Sequence, residues 1–321
     1  MGDFSRELIA GLLVAHLGSR ARGVRIERVR TGKFNSTFFA RNRNIDVVVR
    51  IAPPDDAGFL FYERNMMAQE PEVHRLVAKQ TDIPVARILA FDDSRRLIDR
   101  DYLIMERLPG VPLTEAVGDV NAVFNQVGTM LAQLHRITTE RYGYLGAHHP
   151  MEAQDTWVDA FEVMWGKLID DIVSAGFYDD EEADWARQAL SRYRSCFERE
   201  VPSGLLHMDI WHQNILVDRD MRVTGIVDWD RALWGDVEIE FAVLDYCGVS
   251  VPAFWRGYGQ QRDDSPEARI RNVFYLLYEI QKYIVIRSLR SKDRHSAAGY
   301  KQHAQRMLRS LVDGMPPSGR I

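Results

Sequence analysis

The sequence predicts an α+β fold in two unequal lobes, a small mixed β-rich lobe followed by a large, mainly helical one. Three observations lead there. Up to about residue 106 the apolar residues come in short runs broken by turn formers. A stiff turn with two prolines, Leu108-Pro-Gly-Val-Pro, follows. Beyond it, apolar residues recur at helical spacing over long segments. The predicted division is residues 1–107 and 108–321.

Phe4 to Leu17 reads as an amphipathic helix. Val24 to Arg30 alternates like a strand, and Thr31 to Thr37 is a turn-rich link. Phe38 to Arg41 and Val47 to Ile51 are further strands, closed by Pro53-Pro54. Phe59 to Lys79 is broadly helical, with Pro71 either interrupting it or opening a new helix. Val85 to Phe91 and Asp101 to Met105 are short apolar strands. In the second lobe, Val123 to His135 places Val123, Val127, Met130, Leu131 and Leu134 on one helical face. Thr156 to Ser174, Asp180 to Phe197, Phe274 to Leu289 and Ala297 to Val312 read as four more helices. The polar members of the third of these, Glu279 and Lys282, are candidates to face a substrate cleft.

Composition excludes several classes. The 321 residues are 46% hydrophobic and 27% charged, which suits a folded globular chain. A net charge of −5 argues against a dedicated nucleic-acid binder. Two cysteines, Cys196 and Cys247, cannot build a disulfide framework or a four-thiolate zinc site, and a reducing cytoplasm is expected. No secretory signal, myristoylation pattern or apolar run long enough to span a membrane is visible. Residues 151–200 carry a net charge of −8 and residues 1–107 a net charge of +3. The acidic stretch reads first as a solvated helix pair, and second as an attractor for a cationic substrate.

The chemistry concentrates between Leu205 and Asp236. Ile215-Leu-Val and Val223 to Val227 are apolar strands joined by Asp218-Arg-Asp, a turn, so the pair should form a hairpin. A hairpin brings Asn214, just before its first strand, beside Asp228, just after its second. Asp209 lies one loop away. One amide oxygen and two carboxylates meeting at a strand end suit a hard cation such as Mg²⁺. His207, Asp209 and His212 could instead suggest a zinc hydrolase, but that leaves Asn214 and Asp228 without a role. Trp211, Trp229 and Trp234 flank the segment as core or cleft wall, with sugar or ammonium stacking as the alternative for Trp211 or Trp234. His148-His149 before Pro150 reads as an exposed turn.

The run His207-x-Asp209-x-x-x-x-Asn214 followed by Ile-Val-Asp228-Trp-Asp230 resembles the catalytic core of the aminoglycoside phosphotransferase and choline kinase superfamily. Tyr102-Leu-Ile-Met-Glu-Arg-Leu-Pro-Gly110 is similar to that family's hinge. Gly128 to His135 resembles its helix before the substrate region, and Trp234-Gly-Asp236-x-x-x-Glu240 the segment after its metal aspartate. The resemblance implies a bilobal protein-kinase-like fold, ATP (or GTP) as phosphate donor, and Mg²⁺. It gives Asp209 the proton of the substrate hydroxyl, and Asn214 and Asp228 the metal. His207 would support the loop, Asp230 would add a second bond behind the metal site, and Asp236 and Glu240 would anchor the loop. Phosphoryl transfer needs little covalent help, so positioning and charge neutralisation carry it.

The resemblance also assigns the nucleotide to the first lobe. Gly32, Asn35 and Ser36 lie in a loop between strands that is either a plain hairpin turn or a phosphate cover, and it is not a Walker A loop. Arg50 stands where the family's strand lysine would, and its planar fork can pair with phosphates. Glu70 is the candidate helix partner of Arg50, with Glu72 as competitor. Met105 would flank the adenine, and backbone groups of Glu106 and Leu108 would bond its edge. One departure stands out: Met208 replaces the glycine the family places between His and Asp. The expected function is a phosphotransferase acting on a hydroxyl of a small polar molecule, aminoglycoside-like and cationic by preference. A metabolic kinase for choline or a sugar is the alternative within enzymes, and a regulatory pseudokinase the alternative outside them.

Overall fold

The computed structural model describes residues 4–29, 34–55 and 58–312. The first lobe opens with helix α1 (Arg6–Leu17), whose Ser5 side chain caps it by accepting the Leu8 N–H. Five antiparallel strands follow: β1 (Arg25–Val29), β2 (Ser36–Arg41), β3 (Asp46–Ile51), β4 (Ile88–Asp92) and β5 (Tyr102–Glu106), in the order β1-β2-β3-β5-β4. The apolar run Val47–Val49 falls on the central strand, which is buried on both faces. One face packs with α1 through Ile9, Leu12, Leu13, Phe38, Val49 and Ile104. The other presents Val48, Leu103 and Met105 toward the second lobe side, with Met67 and Ala86.

Between β3 and β4 the structure corrects the sequence reading. Helix α2 covers only Glu70–Gln80, with Pro71 in its first turn, preceded by a 3₁₀ turn at Met66–Gln69. Residues 58–65 are not helical: Asn65 is left-handed at φ 56°, and Pro71 starts a helix rather than interrupting one. The apolar groups of this strap, Leu60 and Tyr62, pack into the core of the helical lobe.

The second lobe begins with β6 (Val111–Pro112) and helix α3 (Val120–Leu134). Gly110, at φ +100°, turns the chain there, and a Cβ at this position would come within 2.5 Å of Thr224 Oγ1 and 2.6 Å of the Val217 carbonyl. Then come β7 (Thr138–Thr139), α4 (Trp157–Ser174), α5 (Asp180–Arg192), β8 (Ser203–Leu206), β9 (Ile215–Val217), β10 (Val223–Ile226) and β11 (Leu233–Gly235). Helices α6 (Val237–Tyr246), α7 (Pro252–Tyr258), α8 (Pro266–Val285) and α9 (Arg294–Val312) complete the lobe. Helix α5 stops at Arg192 rather than Phe197, and α8 passes into one π turn at Ile286–Arg290. Gly128 of α3 and Gly257 of α7 let those helices touch backbone to backbone, since a Cβ on Gly257 would lie 1.8 Å from the Asn125 carbonyl. The large core joins α4, α5, α6, α8 and α9 around Trp157, Trp165, Phe274 and Tyr278. A second core sets α3 and α7 against the β9–β10 hairpin.

Among the described residues no helix is long and apolar enough to cross a membrane. Cys196 and Cys247 are free thiols. Most acidic side chains of 151–200 with a named partner meet a base: Asp159, Glu162 and Glu198 with Arg194, Asp170 and Asp184 with Arg187, and Glu182 with Lys301.

Candidate active site

The β9–β10 hairpin closes as its sequence suggests. Ile215 pairs with Ile226, and the Val227 N–H donates to the Asn214 carbonyl at 3.1 Å, which carries the ladder one step past the strands. Asn214 and Asp228 therefore flank the open end of the hairpin. Asp228 is left-handed at φ 72°, ψ 61°. Asn214 Nδ2 donates to the Asp209 carbonyl at 2.9 Å and to Asp209 Oδ2 at 3.1 Å. The three residues form one crevice. With its amide nitrogen held by Asp209, Asn214 keeps its side-chain oxygen for another partner.

The loop bearing Asp209 is fixed from behind. Glu240 of α6, fully buried, accepts the backbone N–H groups of His207 at 3.0 Å and Met208 at 2.7 Å through one oxygen. Its other oxygen takes His135 Nε2 at 2.8 Å, while His135 Nδ1 lies 2.9 Å from the Tyr258 hydroxyl. His207 Nδ1 accepts the Asp209 N–H and Nε2 lies 3.1 Å from the Val227 carbonyl, so the proton sits on Nε2. Burial holds the His207 pKa below its ordinary value, leaving a neutral ring with both nitrogens engaged. Met208 takes a positive φ of 64°, with its side chain almost wholly buried. The glycine missing from this position is thus replaced by a residue holding a left-handed backbone.

Asp209 has a partner that no spacing rule marks. Arg231 Nη1 lies 3.2 Å from Asp209 Oδ1. Burial pushes the Asp209 pKa up, Arg231 pulls against it, and the nearby Asp228 charge adds to the rise.

Across the crevice stands Arg50 of β3. Its Nη1 binds Glu70 of α2 at 2.5 Å, and its Nη2 binds Asp228 at 2.5 Å and Asp230 at 2.9 Å. Glu72 faces outward and pairs with Arg75. Burial works against the Arg50 charge, but Glu70, Asp228 and Asp230 outweigh it and the guanidinium stays protonated. Asp230, buried beside Asp228, is held well above the usual carboxylate range in spite of Arg50. It also takes the Asn35 amide at 3.2 Å, and its carbonyl takes Gln69 Nε2 at 2.5 Å. Asp230 thus ties the β1–β2 link, the 3₁₀ turn before α2 and β3 together, a larger part than the one bond the resemblance implied. Ser36 is buried at the start of β2, and Gly32 lies outside the described residues.

The hinge needs a narrower reading than the sequence suggested. The Glu106 N–H already donates to the Arg87 carbonyl at 3.0 Å, because β4 and β5 are paired there. Its side chain binds Arg87 as well. Of the backbone groups the resemblance assigned to an adenine edge, the Glu106 carbonyl and the Leu108 backbone remain candidates, and the Glu106 N–H does not. Met105 is buried on the face of the sheet toward the cleft, and Leu108 packs over Gly225, where a Cβ would come 2.8 Å from Leu108 Cδ1. His148 and His149 do lie at a turn, and His149 is exposed, but His148 is half-buried and that burial presses its pKa down to about 4.

An antiparallel five-stranded sheet with an Arg–Glu pair, set over a helical lobe that offers Asn and Asp from the end of one hairpin and a second Asp from the loop before it, defines the kinase-like class of phosphotransferase. Residues 25–271 match the family described as "Phosphotransferase enzyme family" (APH), and the chain belongs to it. Among solved structures, the "putative fructosamine-3-kinase" of Haemophilus somnus aligns with a TM-score of 0.69 at 19% identity, covering 95% of this chain and 96% of that one. The aminoglycoside phosphotransferase APH(4)-Ia, in a ternary complex with AMP-PNP and hygromycin B, aligns with a TM-score of 0.69 at 20% identity, covering 95% and 99%. A "probable ketoamine kinase" of Vibrio parahaemolyticus is 27% identical over 191 residues, 56% of this chain and 61% of that protein. A "probable acyl-CoA dehydrogenase" of Arabidopsis thaliana is 24% identical over 213 residues, 62% of this chain but 25% of that protein. The chain thus spans less than two thirds of the length of the curated relatives it matches.

Proposed function

We propose that the protein transfers the γ-phosphate of ATP (or GTP) to a hydroxyl group of a small polar molecule. The observation that carries this reading is the crevice itself: Asp209 bonded to Asn214, with Asp228 on the far strand end facing Arg50. Asp209 receives or orients the hydroxyl proton, and Arg231 favours its ionised form against burial. Residues 1–107 serve the nucleotide, with Asn35, Ser36, Arg50, Glu70, Met105, Glu106 and Leu108 in its reach, and residues 108–321 serve catalysis and the acceptor. The two free thiols fit action in the cytoplasm.

The donor set fits Mg²⁺. An amide oxygen and a carboxylate are hard ligands of the kind Mg²⁺ combines with phosphate oxygens. Asn214 and Asp228 would hold the ion, which would neutralise phosphate charge. Arg50 covers one Asp228 oxygen and so shares that carboxylate's charge.

The acceptor is an alcohol, and two relatives frame its class: one described as a ketoamine kinase, one solved with an aminoglycoside. The acidic stretch gives the cationic reading less support than its net charge suggests, because much of that charge is paired with Arg187, Arg194 and Lys301. A coupled ADP-release assay over aminoglycosides, ketoamines, sugars and choline tests the reading. Asp209→Asn should abolish acceptor-stimulated ADP release while ATP binding stays within about twofold of wild type. Full activity in that variant would remove Asp209 from the mechanism.

A further inference from the structure

Beside Asp209, and reached through Arg231, lies a second polar cluster. It draws on the strap (Tyr62 and Glu63), on α8 (Glu279 and Lys282), on the π turn (Arg290), and on Arg231. Glu63 Oε2 takes the Leu60 N–H at 2.9 Å and pairs with Arg290. Glu279 and Lys282 pair along α8, and the Lys282 ammonium lies 5.9 Å from the Tyr62 ring centre and 5.4 Å from that of Tyr278. Tyr62 stacks on Tyr144 at 4.7 Å, almost parallel. Arg231 links the cluster to the crevice: it touches Asp209, and the charges of Glu63 and Glu279 and the Tyr62 phenol all favour its protonated form against burial.

The cluster is incompletely satisfied. Tyr62, Glu63 and Glu279 are each at least nine-tenths buried. Yet among the described residues the Tyr62 hydroxyl, Glu63 Oε1 and Arg290 Nε have no hydrogen-bond partner, and Glu279 Oε2 meets only the Lys282 ammonium in an ion pair. Buried polar groups are nearly always hydrogen-bonded, and each exception calls for a partner. Here four exceptions gather beside one reactive carboxylate.

Their chemistry narrows what the partner is. Two are acceptor oxygens, one is an N–H donor, and the phenol does both. The formal charges balance: Glu63, Glu279 and Asp209 against Arg231, Lys282 and Arg290. A polycation would add several positive charges to a space whose three carboxylates are already matched by three cations. A quaternary ammonium offers neither donor nor acceptor. Vicinal hydroxyls donate and accept at once without adding charge, so they suit the whole set. The strap seals these atoms and is bolted to the helical lobe by the Glu63–Arg290 pair and by the Phe61 N–H to Asp171 at 2.7 Å. A large ligand would have to break that buried pair.

Resting on the phosphotransferase reading above, we infer that this cluster is the acceptor subsite, that the strap over residues 58–66 closes it, and that the acceptor is a compact polyhydroxylated molecule of monosaccharide size carrying at most one amine.

The test is acceptor-stimulated ADP release with neutral monosaccharides and singly aminated sugars, set against kanamycin, hygromycin B and choline. At least one sugar-sized polyol should stimulate release, and the polycations and choline should not. Tyr62→Phe should then raise the KM of that polyol about three- to tenfold, the range expected for one lost hydrogen bond, with the ATP KM unchanged. Its melting temperature should hold or rise, because the change removes an unpartnered hydroxyl. Silent polyols overturn the inference, as does a Tyr62→Phe enzyme whose polyol KM is unchanged. If a polycation is turned over instead and Asp209→Asn abolishes that turnover, the phosphotransferase reading stands while this inference falls.

Discussion

Replacing Arg231 by methionine isolates one charge next to the proposed base. The guanidinium lies 3.2 Å from the Asp209 carboxylate, and both side chains are mostly buried. At an effective dielectric of about 20, two unit charges that close attract by about 5 kcal/mol, which sets a ceiling. An opposite charge at such range typically lowers a carboxyl pKa by about 1–3 units. Burial and Asp228 both push Asp209 the other way, and Arg231 is the largest force holding it down. Loss of Arg231 therefore favours the protonated acid, which cannot take a hydroxyl proton. The acid limb of kcat/KM should move up by about 1–3 pH units, activity at neutral pH should fall, and the alkaline plateau should approach wild type. Arg231→Lys, keeping the charge but not the fork, should move the limb less. The assay is a pH profile of kcat/KM at saturating Mg²⁺-nucleotide. A purely structural arginine would lower the rate equally at every pH, and such a parallel profile would refute this role.

Two further outcomes follow from the same crevice. Asn214→Ala and Asp228→Ala should each weaken Mg²⁺-nucleotide binding by about 10–100-fold, the scale seen when groups around a metal are removed, and unchanged calorimetric titrations would exclude them as ligands. Met208→Gly should relieve about 1–2 kcal/mol of left-handed strain but give up a buried side chain worth about 2–5 kcal/mol, for a net loss of about 1–3 kcal/mol in urea unfolding. A variant more stable than wild type would show that strain, not packing, dominates at this position.

What the sequence discloses here depends on how local the cause is. The β9–β10 hairpin is legible because two short apolar runs and the turn between them lie within a dozen residues, which sets Asn214 and Asp228 side by side at its open end. The paired β4 and β5 take up the Glu106 N–H through a partner at Arg87, 19 residues earlier, and no motif records that. The strap shows the stronger failure. Phe59, Tyr62, Glu63 and Met66 have helical spacing, and spacing alone cannot say that Tyr62 stacks on Tyr144 or that Glu63 pairs with Arg290, 227 residues away. Those contacts, together with left-handed Asn65, override the local preference for helix. The acidic stretch fails for a related reason. A net charge of −8 counts charges without saying which are paired, and Glu182 finds Lys301 on a helix more than a hundred residues on. Arg231 combines both effects: a long side chain in a segment read for its aspartates, acting on a carboxylate 22 residues earlier through a turn of the backbone. Asp209, Asn214 and Asp228 are thus close in sequence to one another. Those that would choose the acceptor come from four separated segments, so the reaction class could be read from the chain while the acceptor had to be argued from unpartnered atoms.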